Sequence, residues 1–192
     1  MLADSITNFD FSILYWIQEN IRTPFMDNVA VILDHAFYAG ALWIVLGIVL
    51  LFFKKTRIAG AALLFSMWIA LLVGEWGLKN IICRERPCVL DPTISLAITP
   101  PSSFSCPSGH TGSSFAAAGG LFAFNKKLGI PALVVALMVG LSRMYLFVHF
   151  PTDVLLGAVV GLLSALAVYY IFRLLDVDRR LQGAEKSLTI YM

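Results

Sequence analysis

His149 and Asp153, a second histidine at position 110 preceded by Pro107, Ser108 and Gly109, and three cations, Lys79, Arg86 and Arg143, are the side chains of this chain best suited to chemistry. They fall in three short segments, residues 79–87, 107–110 and 142–153, each inside or beside strongly apolar sequence. An ionisable residue within a membrane-spanning segment costs about 2.5–3.5 kcal/mol on insertion scales, so cations in such places need a functional reason. Cations gathered with two imidazoles and a carboxylate read as a site for phosphate at a membrane surface.

Spacing assigns the parts. Lys79 and Arg86 are close to two helical turns apart, so a continuous helix would put them on one face. Arginine offers a planar fork to phosphate oxygens and lysine a point charge, although Lys79 alone also fits snorkelling at the end of a span. Pro87 ends that helical pattern, and Glu75, one turn before Lys79, can pair with it. Ser108 suits a helix N-cap, whose free N–H groups attract anions, and Gly109 permits close approach of a phosphate to the backbone. His110 is not explained by capping. Arg143 lies near the end of an apolar run beside Ser142. Pro151 marks the first turn of the next helix, which places Asp153 there. Asp153 could accept the Nδ1 proton of His149 and leave Nε2 as a neutral nucleophile; it also fits a carboxylate favoured by the helix dipole.

The elements that must position these groups are apolar. The chain is 59% hydrophobic and 14% charged over 192 residues, which indicates an all-α integral membrane protein. Five apolar runs, residues 29–53, 58–78, 108–124, 130–148 and 154–175, have lengths suited to membrane-crossing helices. The expected fold is a bundle of about five transmembrane helices over residues 29–175, forming one domain. Residues 6–21 repeat Phe9, Ile13, Trp16, Ile17 and Ile21 at helical spacing and read as an amphipathic interfacial helix; they would be a sixth crossing if they span. The run at 108–124 is rich in small residues and belongs in the interior. Asp34 and His35 weaken the start of the first run and read as lying near the interface. No cleaved signal peptide is apparent in the first ten residues.

Loop charges orient the bundle. Lys54, Lys55 and Arg57, then Lys126 and Lys127, then Arg173, Arg179, Arg180 and Lys186 fall on one face, which the positive-inside rule makes cytoplasmic. The charged tail, residues 176–192, lies on that side, and all three motifs meet on the other. The connection at 80–107 is long enough to cap the site or guide a substrate. Cys83, Cys88 and Cys106 flank it; a bridge from Cys88 to Cys106 and three unpaired thiols are both open. Cys106 and His110 lack a convincing partner pair for zinc, and no acidic or histidine cluster has metal-ligand spacing. A net charge of +2 without a basic stripe gives no case for nucleic acid.

Taken jointly, Lys79, Arg86 and Pro87, then Pro107 to His110, then Ser142, Arg143, His149 and Asp153 closely resemble the three-part signature of the type-2 phosphatidic acid phosphatase superfamily. The resemblance runs from about residue 25 to 175 with motif order and spacing intact. Cys106 departs from it by standing where relatives commonly place an aromatic. The resemblance implies a metal-independent lipid phosphatase of a bacterial cell membrane, needing no cofactor and working on the extracytoplasmic face. In that reading His149, His110 and Asp153 are catalytic. Lys79, Arg86, Ser108, Gly109 and Arg143 bind substrate phosphate, supported by Glu75, Pro87, Pro107 and Ser142. The small branch acting on undecaprenyl diphosphate is the best likeness. Phosphatidylglycerophosphate and phosphatidate offer the same terminal phosphate, and a non-catalytic lipid-phosphate binding or transport protein is the alternative of another class. A vanadate-dependent haloperoxidase would share the pocket, but five apolar spans argue against that soluble group. Sequence says nothing of oligomeric state.

Overall fold

Long apolar runs interrupted by short polar or glycine-containing connections become helices stacked side by side, because only internal hydrogen bonding satisfies a backbone in an apolar setting. A computed structural model describes residues 2–177, and every regular element among them is helical. The order is α1 (Leu2–Asn20), α2 (Pro24–Ala36), α3 (Ala41–Leu51), α4 (Arg57–Ala70), α5 (Lys79–Ile82), α6 (Pro87–Leu90), α7 (Gly109–Phe124), α8 (Lys126–Tyr145) and α9 (Pro151–Leu174). Most of the tail at 176–192 lies outside the described residues.

The first apolar run is not one straight helix. Thr23 caps α2 by accepting the Met26 N–H at 3.2 Å, and Pro24 fills the first turn, so the helix starts earlier than residue 29. It then breaks at residues 37–40, where Ala39 and Gly40 take left-handed backbone angles (φ 49° and 72°) that no α-helix can continue. α2 and the helical stretch that follows it meet at a 45° bend. The second run continues from α4 into a wide-turned π-helical segment, Leu71–Leu78, before α5. Cys83, at φ 48°, then stops the helix in a left-handed cap. Lys79 and Arg86 therefore do not ride one continuous helix, as their spacing alone had implied. Arg86 instead stands in extended conformation just before the short α6, whose first residue is Pro87.

α7 is the axis of the bundle and packs against α4, α8 and α9. Ala116, Ala117 and Ala118 are fully buried there, in keeping with an interior place for this small-residue run. Close approach depends on glycine at one crossing in particular. A Cβ on Gly157 would sit 2.6 Å from the Ser108 carbonyl oxygen, so glycine lets α9 meet the start of α7.

Three helical stretches are long and apolar enough to cross a membrane: Arg57–Leu90, Lys126–Tyr145 and Pro151–Leu174. The bent pair Pro24–Ala36 and Tyr38–Leu51 makes a fourth if it counts as one span. α7 has 16 residues, or about 24 Å at 1.5 Å per residue, and falls short of the roughly 30 Å of hydrocarbon. α1 lies against the bundle by one face, with Asp10, Leu14 and Ile17 buried, and exposes Phe9 and Trp16 on the other. Leu14 packs with Phe147 and Phe150, and Ile17 with Leu146 and Val148, so α1 covers the connection between α8 and α9.

Candidate active site

That connection carries His149, whose backbone and side chain are both fixed. The carbonyl of Arg143 accepts the N–H groups of Val148 and His149, which turns the chain sharply out of α8. Phe150 precedes Pro151 at the start of α9, and Asp153 Oδ2 accepts the Phe150 N–H at 2.9 Å. His149 Nε2 lies 3.1 Å from Arg86 Nη1. A guanidinium can only donate, so Nε2 carries the lone pair and the proton sits on Nδ1. Nδ1 faces Asp153 Oδ2 at 3.8 Å, too far for a hydrogen bond, and has no other hydrogen-bond partner. The hydrogen bond between His149 and Asp153 expected from their spacing is therefore not closed. Burial, reinforced by the charges of Arg86 and Lys79, pushes the His149 pKa down to about 3 against the opposing pull of Asp153. The imidazole is neutral across the physiological range.

Arg86 is buried and ties three pieces of chain together. It donates to the Ser103 carbonyl (2.7 Å), the Phe104 carbonyl (3.1 Å) and the Val148 carbonyl (2.9 Å) while touching His149. The long connection is thus folded over the site by the same guanidinium that faces the imidazole. Ser105 reinforces this by donating its N–H to the Arg84 carbonyl at 2.8 Å. Lys79 is buried and pairs with Glu75 at 2.5 Å, the one-turn pairing expected from sequence. The room left by the missing side chain of Gly109 is taken up by the Glu75 carboxylate. Ser108 precedes α7 in extended conformation, but its Oγ caps no backbone N–H; it accepts the Thr111 hydroxyl at 2.9 Å. Ser142 Oγ donates to the Val139 carbonyl and accepts from Arg143. Pro107 lines a shallow recess that runs from Glu75 and Ser108 to Met67, Leu71 and Val160.

On the other flank His110, in the first turn of α7, meets Arg143 through a residue from α2. Asp34 Oδ1 accepts Arg143 Nη1 at 2.5 Å and lies 3.6 Å from His110 Nε2. His110 Nε2 is buried without a hydrogen bond. Buried polar nitrogens without partners are rare, and His149 Nδ1 and His110 Nε2 are two of them in one site. Among the described residues no three His, Cys, Asp or Glu side chains group as metal ligands, and the three cysteines are unpaired, so Cys88 and Cys106 form no bridge. Burial and the neighbouring Asp153 push the Cys106 thiol up to about 12.

Three charged residues of this neighbourhood escaped the motif reading. Asp34 is the first. Arg84 is the second: Nη1 donates to Asp153 Oδ1 and Nη2 to Asp10 Oδ2, both at 2.8 Å. Asp10 is the third, fully buried on α1. A signal for Asp10 and Asp34 existed in the sequence, since each interrupts a run of apolar residues within its helix.

An all-helical bundle with polar groups gathered at one end of apolar helices defines a membrane-embedded class of protein. The chain belongs to the PAP2 superfamily, whose model matches residues 59–175. It is 36% identical over 122 residues to an undecaprenyl-diphosphatase of Sulfolobus acidocaldarius, covering 62% of this chain and 58% of that protein. It is 33% identical over 131 residues to the bacitracin transport permease protein BcrC of Bacillus licheniformis, covering 67% and 64%. The chain thus spans about six-tenths of the length of these two relatives. Phosphatidylglycerophosphatase B of Bacillus subtilis is 30% identical over 157 residues, covering 74% and 73%. The crystal structure of a transmembrane PAP2 type phosphatidylglycerolphosphate phosphatase from Bacillus subtilis superposes with a TM-score of 0.71 at 30% identity, covering 88% of this chain and 87% of that one. The fold is also that of Aquifex aeolicus LpxE, with a TM-score of 0.72 at 24% identity and 82% and 93% coverage. The resemblance seen in the motifs is borne out at the level of the family, and the chain is an integral membrane protein.

Proposed function

We propose that this protein is a metal-independent lipid phosphatase that removes the terminal phosphate of a lipid diphosphate or monophosphate through a phosphohistidine. The observation that carries this reading is the neutral imidazole of His149, its Nε2 lone pair held beside Arg86 with Lys79 in electrostatic range. Nε2 attacks phosphorus to form the N–P bond while the bond to the leaving oxygen breaks. His110, charged as an imidazolium beside Asp34 and the bound anionic phosphate, gives the leaving oxygen its proton and becomes neutral. It then takes a proton from the water that attacks phosphorus, which restores the imidazolium. The N–P bond breaks, its electron pair returns to Nε2, and inorganic phosphate leaves. Lys79, Arg86, Arg143 and the amides at Ser108 and Gly109 neutralise the phosphoryl oxygens as charge redistributes. Asp153 closes on Nδ1 as the imidazole gains positive character.

The recess lined by Met67, Leu71 and Val160 beside Ser108 and Gly109 supports an apolar tail placed next to the phosphate-binding residues. Undecaprenyl diphosphate is the favoured substrate, supported by the relative from Sulfolobus acidocaldarius. α2 with α3, α4 with its π-helical continuation, α8 and α9 make four crossings, with α1 in the interface. α7, too short to span the full hydrocarbon, is enclosed by α4, α8 and α9 and carries the chain across as the fifth. The loop charges support a site on the extracytoplasmic face, and the proposed setting is a bacterial cell membrane. Phosphate release should be measured from undecaprenyl diphosphate, phosphatidylglycerophosphate and phosphatidate in one detergent, with wild type and His149→Ala. The largest kcat/KM is expected for the diphosphate, with no release by the variant. Release unchanged by His149→Ala, or absent from all three lipids with wild type, overturns the reading and leaves binding or transport.

A further inference from the structure

Asp10 sits on α1 in line with Leu14 and Ile17, on the face turned into the bundle, and is fully buried. A carboxylate in an apolar docking face loses its hydration at a large cost unless it is paired. Its partners are Arg84 Nη2 at 2.8 Å, the Thr152 hydroxyl at 2.5 Å and the Thr152 N–H at 3.3 Å. Arg84 extends from there. Its Nη1 donates to the Thr152 hydroxyl at 2.7 Å and to Asp153 Oδ1 at 2.8 Å, and its guanidinium stacks 3.8 Å above the Phe150 ring. Asp153, also fully buried, has its second oxygen engaged by the Phe150 N–H and turned toward His149 Nδ1.

We propose that Arg84 and Asp10 are positioning residues for phosphoryl transfer. Arg84, gripped from behind by Asp10 of α1, fixes the rotation of the Asp153 carboxylate so that Oδ2 faces the His149 ring. This rests on the catalytic reading of His149 and Asp153 given above. Each of the two groups has a definable share in the task. The fork of Arg84 spans two carboxylates at once, which a lysine ammonium cannot do with the same geometry. Asp10 shares the positive charge of Arg84, so Asp153 keeps negative charge for the imidazole when that ring turns cationic. Without Asp10, Arg84 would pair wholly with Asp153 and weaken that support. α1 thereby contributes to turnover from outside the three motifs, through a residue that never meets the substrate.

The test uses the full chain in detergent with Arg84→Lys, Asp10→Asn, the double variant and Asp153→Asn. Readouts are kcat, KM, competitive inhibition by inorganic phosphate and the thermal midpoint. The expected result is a loss in kcat of about tenfold or more for Arg84→Lys and a smaller loss for Asp10→Asn. KM and the phosphate inhibition constant should stay within about twofold, because neither residue touches phosphate. The double variant should be no slower than Arg84→Lys alone, as members of one network are not additive. Normal kcat in folded Arg84→Lys and Asp10→Asn, with Asp153→Asn inactive, overturns the positioning role alone. A phosphate inhibition constant that weakens in step with kcat also overturns it, by making Arg84 a phosphate ligand. If Arg84→Lys fails to fold, Asp10→Asn retains the pair between Arg84 and Asp153 and carries the same test. Full activity in Asp153→Asn overturns the underlying catalytic reading as well.

Discussion

The two histidines of the site each lie between an arginine and an aspartate, and differ in exposure and in what covers them. His149 is 4% exposed, wedged between a donor it must accept from and a carboxylate it faces, in a connection covered by α1. His110 is 21% exposed, opens α7, and has Asp34 and Arg143 for neighbours. A nucleophile benefits from a fixed lone pair and a neutral ring; a group that gives and takes protons needs access to the leaving oxygen and to water. The division of labour proposed for them rests on which chain segments pack over each ring, not on the rings.

That contrast can be broken most severely at the nucleophile. His149→Ala is expected to lower turnover by at least about a thousandfold and to abolish any acid-labile phosphoenzyme in rapid-quench labelling. His110→Ala should lose less, about a hundredfold, and should accumulate the labelled intermediate if its second step suffers more. Equal phosphoenzyme levels in the two variants would erase the proposed asymmetry. Next in size, Arg143→Lys removes the fork held by Asp34 beside His110, and kcat/KM should fall by about ten- to a hundredfold in steady-state assays, in keeping with about 1.5–3 kcal/mol for charge-assisted hydrogen bonds. Recovery of wild-type rates by lysine would mean that a point charge suffices there.

The buried ring also has a signature in stability. His149 titrates near 6.5 when unfolded and about 3 when folded, so acidification protonates the unfolded chain first. Its contribution is intact above about pH 6.5 and declines as pH falls toward 3. Thermal midpoints measured from pH 7 to 4 should therefore fall more steeply for wild type than for His149→Gln. Parallel curves would place the ring in water. The smallest expected effect is none: excess EDTA should leave phosphate release unchanged, since the proposed mechanism draws from Lys79, Arg86 and Arg143 the charge a metal would supply. Abolished turnover would defeat the metal-free mechanism.

Much of the candidate site was legible before any fold was known. His149, Asp153, Arg143 and His110 are read from short-range spacing, because a turn of helix or a proline at its start places neighbours within a few residues. Glu75 and Lys79 pair one turn apart for the same reason. The reading of Lys79 and Arg86 as one helical face did not survive, because Cys83 takes a left-handed backbone and sends the chain across to His149. The first apolar run was legible as apolar but not as bent, since the break at Ala39 and Gly40 carries no proline and leaves the apolar run on either side of it intact.

By itself, the sequence determined the class of protein, the family motifs and the local order of donors and carboxylates, because hydropathy and helical spacing act over a few residues. Only the tertiary structure decided the partners. Asp10 reaches Thr152 across 142 residues, Arg84 reaches Asp153 across 69, and Arg143 reaches Asp34 across 109. Such pairs are chosen where helices cross, since a buried charge is tolerable only against an opposite one, and no periodicity along the chain specifies which crossing will supply it.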